Sequence, residues 1–207
     1  MCARGALIVL EGCDRAGKST QCKKLVAALT SRGILAESLT FPDRSTATGK
    51  LIDAYLCKKL DLTDQAIHLL FSANRWELEP TMKKQLNNGV TLIVDRYSFS
   101  GIAFSAAKKG MDIEWCSSAE TGLPKPDLVL FLNLSPDVVK ERGGFGEERY
   151  EISEFQEKVL SNYMKLLDKS WEIINADQDV ESVHKDLLER TLIAIEKAKI
   201  TPLGQLW

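Results

Sequence analysis

The sequence holds little cysteine, and none of it is paired. Cys2, Cys13, Cys22, Cys57 and Cys116 form an odd set with no C-x-x-C spacing. That argues against a disulfide framework or a structural zinc site and for a reducing compartment. No apolar stretch approaches the ~20 residues that span a bilayer. The first apolar run, Ala6 to Leu10, is too short for a secretory leader. Neither charge dominates: 27 Lys and Arg stand against 29 Asp and Glu, a formal net charge of −2. Such a chain has no global attraction to nucleic acid or an anionic membrane, so any anion site must be a local cluster. Internal repeats, low-complexity tracts and linkers are also missing. What is present is 207 residues of ordinary composition, 44% hydrophobic, enough for one α/β domain over residues 1–207.

The most informative stretch is Gly12-Cys13-Asp14-Arg15-Ala16-Gly17-Lys18-Ser19. An apolar run precedes it, and Cys22, Leu25, Val26 and Leu29 follow at helical spacing. This is G-x-x-x-x-G-K-[ST] between a buried strand and a helix, the setting of a phosphate-binding P-loop. Wrapping a phosphate with backbone N–H groups demands unusual backbone angles, which Gly12 and Gly17 permit. The helix N-terminus adds its dipole. Lys18 supplies a positive charge for β- and γ-phosphates, and Ser19 a hydroxyl for Mg²⁺. Cys13 within the loop reads as a tolerated small residue, with a redox switch as the alternative.

Further along, strands are expected at residues 34–41, 90–94, 127–134 and 171–174, separated by helical patterns. One helix is capped by Thr63-Asp64. Another is expected to begin at Pro80 and stop at Gly89, and one to run from Ser98 to Lys109. The alternation argues for an α/β fold with a doubly wound parallel sheet. Arg44 lies just past the second strand and Asp95-Arg96 just past the third, the edge where such sheets bind ligands. Asp95 is a natural Mg²⁺ holder and Arg96 a phosphoryl clamp, against the alternative of a surface ion pair. Phe71 and Arg75, one turn apart, read either as a stacking ring with a donor for its acceptors or as an apolar stripe with a rim arginine. The glycine-rich run from Arg142 to Tyr150 reads as a lid within about residues 132–156 or as a plain surface loop. Ser153 and Gln156 fit a capping box, which competes with a substrate role for Gln156.

Taken together, Glu11 to Thr20, Phe41-Pro42-Asp43-Arg44, Leu69 to Glu77, Asp95-Arg96-Tyr97 with Ser100-Gly101, Leu123 to Asp127 and Glu148 to Glu151 resemble the thymidylate kinase family, eukaryotic type, in the family's order. The resemblance implies a five-stranded parallel P-loop NTPase-type sheet with a short lid. It implies Mg²⁺-dependent transfer from ATP to dTMP, small-molecule substrates rather than nucleic acid or membrane, a homodimer, and a cytoplasmic location with a nuclear pool as alternative. Residue by residue, it implies that Phe71 stacks on thymine, Arg75 contacts its carbonyl, and Arg44 and Arg96 hold the acceptor phosphate. Asp14 would meet the sugar hydroxyl and orient Arg96. Tyr150 and Gln156 would complete a pocket also lined by Phe41, Ser100, Gly101 and Phe104. Arg15, Ala16, Gly17, Lys18, Ser19 and Thr20 would hold the ATP phosphates, Ser19 and Asp95 the metal, and Arg142 and Gln178 the adenine. Asp14, Arg15, Lys18 and Arg96 would form the catalytic set, with Arg15 placing the chain among relatives that carry their catalytic arginine in the P-loop. The alternatives are another nucleoside or nucleotide kinase on this scaffold, or a non-catalytic nucleotide-binding relative.

Overall fold

The structure, a computed structural model, describes residues 3–135, 149–150 and 152–207. In chain order the elements are β1 (Leu7–Glu11), α1 (Lys18–Thr30), β2 (Ala36–Thr40), α2 (Ala47–Leu56), α3 (Asp64–Asn87), β3 (Thr91–Asp95), α4 (Ser98–Ala106), α5 (Ile113–Ser118), β4 (Leu128–Asn133), α6 (Ser153–Leu166), β5 (Trp171–Asn175) and α7 (Val180–Ala198). The strands form one parallel five-stranded sheet in the order β2-β3-β1-β4-β5. The middles of its central strands are continuous apolar runs because helices cover both faces.

Strand alternation divides the core in two. Ile8, Leu10, Leu130 and Leu132 face Leu25 and Leu29 of α1 and Leu187 and Ile195 of α7. Leu7, Val9, Leu92 and Val94 face Met82 and Leu86 of α3, Ala103 of α4 and Val159 and Tyr163 of α6. Because all strands run the same way, the residues after β1, β2 and β3 meet on one edge of the sheet.

Three expectations are corrected. Pro80 starts no helix; it lies inside α3. Its missing N–H removes a ladder bond on the exposed side of the helix, while buried Asn74, Arg75, Met82 and Leu86 anchor α3 on either side. The helix from Ser98 ends at Ala106, and α5 follows as a separate turn capped by Asp112, whose carboxylate accepts from Trp115 N at 2.8 Å. Ile152, not Ser153, occupies the N-cap of α6, and the Gln156 side chain donates to Asp14 and the Tyr150 carbonyl. The edge strand β2 spans Ala36–Thr40, within the expected 34–41.

Candidate active site

The P-loop joins β1 to α1. Gly12 has φ 138°, and a Cβ there would meet the Leu132 carbonyl oxygen at 2.6 Å. Gly17, at φ 92°, is the N-cap of α1, and no side chain caps that helix. The first N–H groups of α1 are therefore available to an anion, with the helix dipole behind them. Lys18, just 5% exposed, donates to the carbonyls of Gly12 (3.1 Å) and Cys13 (2.7 Å). Burial, then the neighbouring Arg96 charge, push its ammonium down to about 8, against the pull of Asp14, Asp95 and Glu11. The Cys13 thiol is pushed up by burial despite nearby Lys18 and Arg96, which favours the inert reading over a redox switch.

Ser19 Oγ donates to Asp95 Oδ2, bringing the first turn of α1 to the end of β3. A hydroxyl beside a carboxylate is a hard oxygen pair that suits Mg²⁺. Among the described residues no cluster of three or more His, Cys, Asp or Glu could hold a metal.

Arg96 has φ 67°, a left-handed backbone that a non-glycine residue adopts at some cost. This turn aims the guanidinium back over the P-loop. Its Nη2 pairs with Asp14 Oδ1, while Nη1 donates to Ser100 Oγ (3.1 Å) and the Gly12 carbonyl (3.3 Å). Its Cζ lies 5.3 Å from the centre of the Phe104 ring. Burial works against the Arg96 charge, but Asp14 together with Tyr163, Asp95 and Glu11 outweighs it and the guanidinium stays cationic. Asp14 is in turn held below the usual carboxylate range: burial would raise it, and Arg96 and Lys18 overcome that.

Glu11 was quoted only within a motif, and its role was missed. It ends β1 fully buried and accepts from Tyr97 N (2.9 Å), Ser100 N (3.0 Å), Ser100 Oγ (2.5 Å) and Tyr163 OH (2.9 Å). Tyr97 is the N-cap of α4 and caps nothing with its own side chain. Glu11 thus caps α4 from the neighbouring strand. Burial raises its carboxyl above the usual range, and the Ser100 hydrogen bond and Arg96 temper the rise.

On the far side of the cleft, Arg75 is 2% exposed, so the rim reading fails. It donates from Nε to Glu120 Oε2 (2.7 Å) and from Nη2 to Glu120 Oε1 (2.5 Å), a two-bond pair sealed from water. A Cβ on Gly101 would lie 2.6 Å from Arg75 Nη2 and 3.1 Å from Cζ and Nη1, so only glycine lets α4 pass this guanidinium. Next to Arg75 on α3, Asn74 holds the loop that bears Arg44. Its Oδ1 accepts from Asp43 N at 2.7 Å, and its Nδ2 donates to Asp43 O at 3.1 Å and Thr46 Oγ1 at 2.9 Å.

One cleft of about 420 Å³ connects these groups. Asp14, Arg15, Gly17, Lys18, Ser19, Thr20 and Asp95 line its P-loop end. Phe41, Arg44, Phe71, Arg75, Arg96, Ser100, Gly101, Phe104 and Tyr150 line the remainder. Gln156 reaches the cleft through its partners, donating to Asp14 Oδ2 and Tyr150 O, both at 2.9 Å. Ala16, Gln178 and Arg149 do not line the cleft. Ala16 packs its methyl into the core. Gln178 donates to the Asn175 carbonyl at 3.0 Å and does not line the cleft. Arg149 turns away from it: it binds the Tyr55 carbonyl at 3.0 Å, the Leu60 carbonyl at 3.2 Å and Asp61 at 2.6 Å, at the C-terminal end of α2. Arg142 and most of the expected lid, residues 136–148, lie outside the described residues. Ser105, Tyr97, Thr40 and Leu56 line the cleft unanticipated.

A parallel sheet with a P-loop after its central strand, opening into a second compartment rich in arginine, is the layout of a P-loop phosphotransferase. Residues 10–187 match the family model described as Thymidylate kinase. The chain is 52% identical to the thymidylate kinase of Danio rerio, over 100% of this chain and 99% of the relative. It is 53% identical to that of Homo sapiens, over 99% and 98%. The solved thymidylate kinase of Candida albicans superposes with a TM-score of 0.89 at 40% identity, over 100% of both chains. The chain belongs to the thymidylate kinase family.

Proposed function

We propose that this protein is a thymidylate kinase that transfers the γ-phosphoryl group of ATP to dTMP, giving dTDP and ADP. The observation that carries this reading is the single cleft uniting the P-loop with Arg96, Arg44 and the Phe71–Arg75 wall. In the transfer, the bond from Pγ to the β–γ bridging oxygen breaks, and a bond from the acceptor phosphate oxygen to Pγ forms. Two polyanions must approach in line, so catalysis is positioning and charge neutralisation.

In this reading the α1 N-terminus, Lys18 and Thr20 bind the ATP phosphates. Arg15 takes up charge on the moving phosphoryl group. Arg96 and Arg44 hold the acceptor phosphate, and Asp14 fixes Arg96. Phe71 stacks on the base, Arg75 donates to it, and Phe41, Phe104 and Tyr150 enclose the nucleoside. Ser19 and Asp95 would hold Mg²⁺, which would supply charge neutralisation for the phosphates. One kinase domain over residues 1–207, a homodimer and a cytoplasmic setting belong to the same proposal. The free thiols of Cys13, Cys22, Cys57 and Cys116 suit a reducing compartment. Among the described residues no helix is long and apolar enough to cross a membrane.

A coupled ADP-release screen over nucleoside monophosphates, with ATP and Mg²⁺, tests this. dTMP is expected as the preferred acceptor. dUMP should be slower by about 10–200-fold, the worth of one methyl in an apolar pocket, and purine nucleotides should be poor. Equal use of dGMP and dTMP would overturn the reading.

A further inference from the structure

One polar group on the base-facing wall has its orientation dictated from behind. His68 is fully buried on α3, one turn before Phe71 and two before Arg75. Its Nε2 lies 3.0 Å from the Cys116 carbonyl oxygen and its Nδ1 lies 2.8 Å from Ser105 Oγ. A carbonyl can only accept, so Nε2 carries the proton. Nδ1 of the neutral ring is then an acceptor, and the Ser105 hydroxyl must donate to it. Burial pushes His68 below the ordinary imidazole value, with the Glu120 charge opposing, which favours the neutral ring. The Trp115 ring, 5.3 Å away, packs against the imidazole and limits its rotation. With its one proton engaged by His68, Ser105 Oγ has only lone pairs left to offer, and Ser105 lines the cleft.

Ser105 stands one turn after Gly101 on α4, and Gly101 lies against the Arg75 guanidinium. An enforced acceptor and a donor fork therefore adjoin on one wall, beside Phe71. We propose that His68 is a specificity-positioning residue, holding Ser105 as an acceptor beside the Arg75 donors so that the pocket reads an imide edge, carbonyl next to N–H. Cytosine presents the reverse, an amine donor next to a ring-nitrogen acceptor, and meets donor against donor and acceptor against acceptor. The inference deepens the proposed function and rests on it.

The test measures kcat/KM for dTMP, dUMP, dCMP and N3-methyl-dTMP in the full-length wild type, Ser105→Ala, His68→Leu and His68→Asn. The wild type should use dTMP and dUMP far better than dCMP or N3-methyl-dTMP. Ser105→Ala and His68→Leu should each cut the dTMP-to-dCMP ratio about tenfold, the worth of one buried hydrogen bond. Both should leave the dTMP-to-dUMP ratio unchanged, because the methyl is read elsewhere. His68→Asn, which keeps an acceptor near the Nδ1 position, should retain the wild-type dTMP-to-dCMP ratio. General damage to the pocket lowers every acceptor alike, and unchanged ratios in Ser105→Ala and His68→Leu would overturn the proposal. If His68→Leu fails to fold, Ser105→Ala decides alone. A wild type that makes no dTDP from dTMP would instead overturn the proposed function.

Discussion

Replacing Arg15 with glycine separates what its backbone does from what its guanidinium does. Arg15 sits at φ 67° between the two loop glycines. A left-handed backbone costs a non-glycine residue about 1–2 kcal/mol, which glycine would relieve. Against that, glycine enlarges the unfolded ensemble by about 0.4–1 kcal/mol. The terms nearly cancel, so Arg15→Gly should melt within a few degrees of the wild type. Its chemistry should not survive so well. An arginine supplied in cis to a phosphoryl transfer is worth up to about 10³–10⁵ in turnover. A loss of kcat of at least about a hundredfold is expected, with the KM for dTMP little changed, the pattern of an interaction made mainly in the transition state. Arg149 is held on the Tyr55 and Leu60 carbonyls and should not compensate. Adding Arg149→Ala should therefore leave kcat near that of the single variant. Steady-state kinetics on both variants, with thermal melts as the folding control, measure this. Near-native kcat in Arg15→Gly, with an unchanged melting temperature, would refute the assignment of Arg15 as the catalytic arginine.

Two further substitutions probe the base-facing wall. Glu120→Ala strands the buried Arg75 charge and should destabilise the protein by about 3–5 kcal/mol in urea unfolding. Burial would raise the Glu120 carboxyl, but Arg75 draws it below its ordinary value. The pair's contribution is thus full above the unfolded carboxylate range and is lost as pH falls through the lower folded value. The Glu120→Ala deficit should accordingly shrink in acid. Gly101→Ala places a Cβ 2.6 Å from a guanidinium that Glu120 pins in place. The KM for dTMP should rise at least about tenfold with a smaller change in kcat, and unaltered KM in initial-rate measurements would count against Arg75 as a base contact.

The legible parts of this site were those whose chemistry is local in sequence. Gly12, Gly17, Lys18 and Ser19 are dictated by a loop that must curve around a phosphate and open a helix, so spacing alone was enough. Asp95 and Arg96 were legible because an apolar strand ending in charge implies a sheet edge. Arg75 stayed ambiguous because Glu120 reaches it from a different element, and no periodicity links the two. Glu11 carried no role of its own in the sequence, since its hydrogen-bond donors at Tyr97 and Ser100 are brought to it only when β3 pairs with β1. Gln156 had a plausible local partner in Ser153, and a tertiary partner, Asp14, took its place. Pro80 misled for the opposite reason: a strong local signal was overruled by buried residues on either side of it.

The tie between Asn74 and the loop carrying Arg44 has a consequence for acceptor length. Asn74 and Arg75 are consecutive, and in the proposed function one positions the phosphate-side loop while the other faces the base. The separation between base reader and phosphate clamp is thereby referred to a single rigid helix. In the proposed function α3 would work as a ruler, graduated for one sugar between one ring and one phosphate. A nucleoside offered without its phosphate leaves one end of the ruler untouched, and a diphosphate overshoots it, so chain length is gauged by the same helix that inspects the base.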